Sequence, residues 1–211
     1  MEEIDFDNDH WDPLANQKFI NKISEFDRVD SKKEQPTYQL NRFRKPSFFT
    51  PPEDSREIWT DGGSRKIKDK DGKDSYISAW AFYDKQSDTL KGESGNGTNN
   101  QMELTACIKA LEFLDSIGFP KDHWITIHLD SDYVRVGILY RVSRWIAQKW
   151  KRIDEHGNEV DVKNIDLWKK LYELSVGRKI FWKHVKGHSG EEGNEKVDTK
   201  CGLLMDEQMN K

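Results

Sequence analysis

Residues 99–130 read NNQMELTACIKALEFLDSIGFPKDHWITIHLD, and the change of apolar period inside this stretch decides the fold. Met102, Cys107, Ala110, Leu111 and Leu114 recur at helical spacing, and Gly118 with Pro120 closes the run. Residues 124–130, WITIHLD, then alternate as a strand does. Upstream, EIWTD (57–61), YISAWAFYD (76–84) and a third segment around TLKGESGNG (89–97) are strands parted by polar residues, which predicts a three-stranded antiparallel meander. Downstream, SDYVRVGILYRVSRWIAQKWKR (131–152) predicts one long or two consecutive helices and NIDLWKKLYELS (164–175) another helix. KIFWKHV (179–185) predicts a strand and EEGNEKVDTKCGLLM (191–205) a final helix. Strands first in a meander and then alternating with helices predict an α/β fold, a mixed sheet with helices on its faces.

The chain has 211 residues, which fits one domain with an appendage. Apolar residues make up 35% and charged residues 34%, yet 8 Trp, 10 Phe and 6 Tyr supply enough large side chains to argue against wholesale disorder. No apolar run is long enough to span a bilayer, and the acidic start MEEIDFDNDH lacks the marks of a secretory signal, so a cytoplasmic protein without membrane contact is expected. Cys107 and Cys201 have no zinc-site spacing and read as small buried hydrophobes. The net charge of −4 means that any nucleic-acid binding must come from charge gathered on one face. Residues 1–56 read as an N-terminal extension, with a short helix over about 13–27 (Leu14, Phe19, Ile20, Ile23, Phe26) and the proline-containing linker PTYQLNRFRKPSFFTPP. It either lies on its own domain, stays partly disordered or docks a protein partner. Residues 57–211 make the remaining domain.

Four acids stand out. Asp61 ends the first apolar strand before Gly62 and Gly63, where Asp-Gly also suits a hairpin turn. Glu103 occupies the first turn of its helix on the apolar stripe, or serves the helix dipole with Asn100 as an N-cap. Asp130 ends WITIHLD, where an N-cap is the alternative. Asp198 shares a face with Val197, Cys201, Gly202 and Met205. Each position has an ordinary structural explanation, but acids at two strand ends and on two inward helix faces can converge above a sheet. Clustered carboxylates repel and raise one another's pKa, and divalent cations with oxygen ligands, Mg²⁺ above all, relieve this. Such a site suits two-metal cleavage of a phosphodiester.

IWTDGG, TNNQMEL, LDSDYV, VKNIDLW and VKGHSGEEGNEKVD resemble, in order and approximate spacing, the signature segments of type 1 ribonuclease H, over about residues 57–208. The resemblance implies a ribonuclease H-like fold with a five-stranded mixed sheet. It also implies endonucleolytic cleavage of the RNA strand of an RNA/DNA hybrid, leaving 5′-phosphate and 3′-hydroxyl ends, on primers, R-loops or intermediates of DNA replication. The cofactor implied is two Mg²⁺ ions, with Mn²⁺ as a substitute. Asp61, Glu103, Asp130 and Asp198 look like the catalytic, metal-binding acids, and His188 in KGHSG like the mobile histidine of proton transfer or product release. Asn99 and Asn100 resemble the pair that contacts the hybrid; Thr98 and Asn164 resemble part of a pocket for a DNA phosphate. Glu103 and nearby backbone groups would read the 2′-hydroxyl that only RNA presents.

Arg141, Arg144, Lys149, Lys151 and Arg152 form a stretch with no acid, interleaved with Trp145 and Trp150. It resembles the basic protrusion that some members lay on the DNA strand, and Lys/Arg contacts to phosphate would give salt-sensitive affinity. A solvated helix with its tryptophans in the core is the alternative. Gly63 stands where Ser is common in the family, and Asp132 stands where Gln is common, placing an extra carboxylate beside Asp130. The extension lacks the aromatic and basic pattern of a separate hybrid-binding domain. A monomer is expected. Three other readings compete: a non-catalytic nucleic-acid-binding module of the same fold, a transposase- or integrase-type enzyme, and a protein whose arm tethers it to a polymerase or clamp. The four intact acids oppose the first, and TNNQMEL and VKGHSG oppose the second.

Overall fold

Alternation along residues 56–68 sends Ile58 and Thr60 to one side of the chain and Trp59 and Asp61 to the other, and this division organises the molecule. In the computed structural model, which describes residues 51–68, 71–187 and 190–210, that segment is strand β1 (Arg56–Lys68), at the centre of a five-stranded sheet. The other members are β2 (Asp74–Asp84), β3 (Thr89–Gly95), β4 (Trp124–Leu129) and β7 (Lys179–His184), in the order β3-β2-β1-β4-β7. β1, β2 and β3 form the antiparallel meander, while β4 runs parallel to both β1 and β7. The mixed sheet read from the sequence is therefore present. A separate hairpin joins β5 (Lys151–Ile153) to β6 (Glu159–Asp161).

Helices cover both faces. Ile58, Trp80, Phe82, Ile125, Ile127 and Leu129 pack against Leu104, Cys107, Leu111 and Leu114 of α1 (Asn99–Ser116), with Trp168 and Leu171 of α4 (Ile165–Ser175) behind them. On the opposite face Trp59, Ile77, Ala79, Ala81 and Tyr83 meet Val197, Cys201, Leu204 and Met205 of α5 (Glu192–Met209). Leu104, Leu111 and Leu114 are fully buried, each burial contributing about 1.5–3 kcal/mol, and Leu111→Ala would cost about 2–5 kcal/mol. Cys107 and Cys201 are buried free thiols. Short helices α2 (Asp132–Val136) and α3 (Val142–Ala147) flank a π-helical turn at Gly137–Arg141.

Three local readings need correction. β1 does not end at Asp61: it continues to Lys68 with Asp61 opposite Ala81, and only the parallel ladder with β4 stops, at Trp59. Antiparallel pairing with β2 overrides the turn preference of Asp-Gly and leaves β1 and β4 diverging where the acids emerge. The helix expected through Arg152 stops at Ala147, because Lys149 and Trp150 adopt left-handed φ values of 55° and 63°, and Lys151 begins a strand. α1 is capped by Thr98 rather than Asn100, in a capping box with Gln101. The short helix expected over 13–27 and His188 lie outside the described residues. No helix among the described residues is long and apolar enough to cross a membrane.

Candidate active site

Where β1 and β4 diverge, Asp61 stands on the α5-facing side of β1, Asp130 follows the end of β4 at Leu129, and Glu103 comes to them from α1. Gly62 makes this possible: a Cβ there would lie 2.2 Å from both the Glu103 amide nitrogen and the Met102 carbonyl carbon, so only glycine lets the first turn of α1 approach β1 so closely. Potential ligand atoms of Asp61, Glu103 and Asp130 all lie within 4.8 Å of one another. Asp198, on α5, stands outside this group of three but near enough to add to the negative field at Asp61.

Burial and mutual repulsion raise the pKa of two of these acids. Glu103 is 5% exposed and its Oε2 has no hydrogen-bond partner among the described residues. Burial first, then the charges of Asp61 and Asp130, push its carboxyl well above the usual range, against a smaller lowering by the Gly62 amide. Burial likewise pushes Asp61 up to about 6, with Asp130 and Asp198 adding to it and the Cys201 thiol opposing. Oxygen donors this close together, on acids that burial and mutual repulsion hold above their usual pKa, fit a hard divalent cation, and the Glu103 oxygen without a partner among the described residues is the atom such an ion would satisfy.

The substrate residues read from the sequence fall into separate places. Asn99 Oδ1 accepts from the Ser64 amide at 3.3 Å, and Asn100 is half-buried in the first turn of α1. The Thr98 hydroxyl serves the helix cap, accepting from Gln101 N at 3.4 Å. Asn164 caps α4 in the left-handed conformation and donates from Nδ2 to the Tyr133 hydroxyl at 3.0 Å, which also accepts from Trp168 Nε1 at 3.1 Å. Arg144 and Lys149 are exposed, and Arg141 and Arg152 half-buried. Lys151 pairs with Asp161 at 2.7 Å. Trp145 and Trp150 are half-buried against the core, Trp145 meeting Trp168 edge-on at 5.3 Å, so their rings have a structural partner already. Gly187 runs close to the acids, since a Cβ there would lie 3.0 Å from Asp130 Oδ2.

Sequence reasoning missed two groups. Asp132 does not stand as a bare charge beside Asp130: Arg135 donates to its Oδ1 from Nη2 at 2.9 Å and from Nε at 3.2 Å, and His184 Nε2 lies 3.9 Å away. The i,i+3 spacing of Asp132 and Arg135 was the available signal. The second group is Trp59, His128 and Glu191, described below. A cavity of about 230 Å³ lined by Arg56, Phe119, His123 and Trp124 lies at the other end of β1 and β4, away from the acids.

Comparison with known proteins agrees with this geometry. The family model described as RNase H matches residues 53–202. The chain belongs to the ribonuclease H family. A ribonuclease H of Ruthia magnifica subsp. Calyptogena magnifica is 41% identical over 149 residues, covering 71% of this chain and 94% of the relative. That of Gluconobacter oxydans (strain 621H) is 38% identical over 142 residues, covering 67% and 86%. Among solved structures, a type 1 RNase H with the type 2 active-site motif superposes with a TM-score of 0.53 at 19% identity, over 74% of this chain and 75% of that one, a likeness of fold. The chain is thus a ribonuclease H, a nuclease of the hydrolase class.

Proposed function

We propose that this ribonuclease H cuts the RNA strand of RNA/DNA hybrids endonucleolytically by two-metal-ion catalysis, with Asp61, Glu103, Asp130 and Asp198 holding Mg²⁺. The observation that carries the reading is the trio of crowded acids with an unpartnered, buried Glu103 oxygen. When bound, the cations would lower the cost of activating water and of charge on the leaving 3′-oxygen, giving 5′-phosphate and 3′-hydroxyl products. Asp61, central among the acids, orients the pair, and Glu103, at the start of α1, faces the 2′-hydroxyl that distinguishes RNA. His188, in the segment after Gly187, takes part in proton transfer or product release. Asn99, Asn100, Thr98 and Asn164 contact the hybrid and a DNA phosphate. Arg141, Arg144, Lys149, Lys151 and Arg152 supply phosphate contacts, and Trp145 and Trp150 brace that surface.

In the same reading residues 1–56 are an arm with its own partner and residues 57–211 the catalytic domain of a cytoplasmic monomer. Incubating a 5′-labelled RNA strand alone, in duplex RNA and in a hybrid, with Mg²⁺, Mn²⁺ or EDTA, tests the function. Hybrid-only, metal-dependent cutting is expected. Binding without cutting would instead favour a non-catalytic module of this fold.

A further inference from the structure

Beneath the acids, on the same side of the sheet, lies a layer of side chains that the proposed chemistry does not use. Trp59 precedes Asp61 by two residues on β1, and His128 precedes Asp130 by two at the end of β4. The two-residue period of a strand puts Trp59 and Asp61 on the α5 side, while Asp130 is the residue just after β4 ends at Leu129. Trp59 and His128 are register partners in the parallel ladder, and their rings stack with centroids 4.1 Å apart. Glu191, the N-cap residue of α5, precedes Asp198 by seven residues, two helical turns, and so shares its face.

One carboxylate joins the three elements. Glu191 Oε1 accepts from Trp59 Nε1 at 3.0 Å and lies 3.1 Å from His128 Nδ1, a close contact not aligned as a hydrogen bond. On the other edge of the imidazole, Nε2 is 3.4 Å from Glu57 Oε1. The first turn of α5 rests directly on the indole, since a Cβ on Gly193 would lie 2.2 Å from the Trp59 ring. One structural repeat away from Asp61, Asp130 and Asp198, Trp59, His128 and Glu191 are therefore fastened to one another. Val197, Leu204 and Met205 pack α5 on the sheet, and along the helix the Lys196 ammonium donates to the Tyr83 hydroxyl at 3.0 Å, the Cys201 thiol to the Asp61 carbonyl at 3.5 Å and Gln208 Nε2 to the Ser78 carbonyl at 2.6 Å. The bond from Trp59 to Glu191 adds a directional tie at the N-terminal end of α5, seven residues before Asp198.

We propose that Glu191, bound to the indole of Trp59 and seated against His128, is a positioning residue that sets where α5 presents Asp198 relative to Asp61 and Asp130. The proposal rests on the reading that these acids hold the catalytic cations. Supporting groups of this kind commonly contribute about 10–100-fold to metal affinity or activity. Trp59→Phe keeps a ring on His128 but removes the indole N–H that donates to Glu191, whereas Glu191→Gln keeps a carbonyl oxygen that accepts it.

The test uses the full chain and compares wild type, Glu191→Ala, Glu191→Gln and Trp59→Phe. Mg²⁺ affinity is measured by calorimetry without nucleic acid, and kcat and KM on a hybrid at saturating Mg²⁺. Glu191→Ala and Trp59→Phe are expected to weaken Mg²⁺ binding and lower kcat about tenfold with KM for the hybrid unchanged, and Glu191→Gln to return both to within about twofold of wild type. Wild-type Mg²⁺ affinity and kcat in Glu191→Ala would overturn the proposal, as would a Glu191→Gln variant no better than the alanine. Should Glu191→Ala fail to fold, Trp59→Phe decides alone. A wild-type protein that binds no Mg²⁺ and cuts no hybrid sinks the functional reading itself; an active wild type with indifferent variants sinks only the role of Glu191.

Discussion

Asp84 and Glu103 are both carboxylates withdrawn from water beside the central strand, with residue exposures of 0% and 5%, and their surroundings are opposite in kind. Asp84 accepts a two-pronged contact from Arg56, Nε at 2.8 Å and Nη2 at 2.6 Å, and the Ser87 amide at 3.1 Å. Glu103 keeps one oxygen unpartnered and faces two further acids. A buried charge with its partners satisfied belongs to the fold; one left unsatisfied is held at the expense of stability for a ligand that the chain does not itself contain.

The sharpest way to break this comparison is at the acids. Asp61→Asn or Asp130→Asn should abolish hybrid cleavage while leaving circular dichroism and cooperative unfolding intact, because the amide keeps the shape and loses the charge that holds a cation. Full activity in either variant would remove the site assignment. Glu103→Gln and Asp84→Ala should then move stability and activity in opposite directions. Glu103→Gln removes repulsion and should raise the melting temperature of the metal-free protein while cleavage is lost. Asp84→Ala leaves the largely buried Arg56 without its partner and should cost about 3–5 kcal/mol, with cleavage per folded molecule retained. If both variants lost stability alike, the contrast between the two acids would disappear.

Titration sharpens it further. Asp61 holds its proton more tightly folded, up to about 6, than at its ordinary value of 3.8. Its contribution to metal-free stability is therefore fully present below about pH 3.8 and is lost as pH rises toward about 6. At about 1.4 kcal/mol per pKa unit the loss is at most about 3 kcal/mol, less what solvent screening removes at a half-buried group. Denaturant unfolding of wild type and Asp61→Asn without metal should show the stability gap widening in favour of the variant between pH 4 and 6, and Mg²⁺ should narrow it; a gap independent of pH would contradict the shift. The smallest effect expected is on the basic stretch. Lys149→Ala should reduce the salt slope of hybrid binding by about one, and Lys151→Ala by less, because Lys151 is already paired with Asp161.

The ordered motifs and the switch of period from two to 3.6 made the sheet, its flanking helices and the candidate acids legible in the sequence. Most of what escaped depended on partners distant in the chain. Asp-Gly at 61–62 is a turn signal locally, and only pairing with Ala81 and Trp80 makes it strand. For Trp145 and Trp150 the sequence left substrate contact and core packing both open, because nothing local reveals that Trp168 lies edge-on to Trp145. Asp132 is the exception: its partner Arg135 stands three residues ahead, a spacing that the sequence itself displays. Glu191 escaped because it stands 132 residues from the indole whose N–H it accepts.

Cys107 and Cys201 lie one turn beyond Glu103 and Asp198 on their helices, both 1% exposed. Burial, with the nearby carboxylates, pushes their thiols up, Cys107 to about 12 and Cys201 further, so the native protein presents almost no thiolate to an alkylating reagent. Labelling must then wait for the molecule to open, which turns the pair into a built-in clock: the rate at which a maleimide traps them reports how often the floor of the acid cluster comes apart, and added Mg²⁺ should slow it.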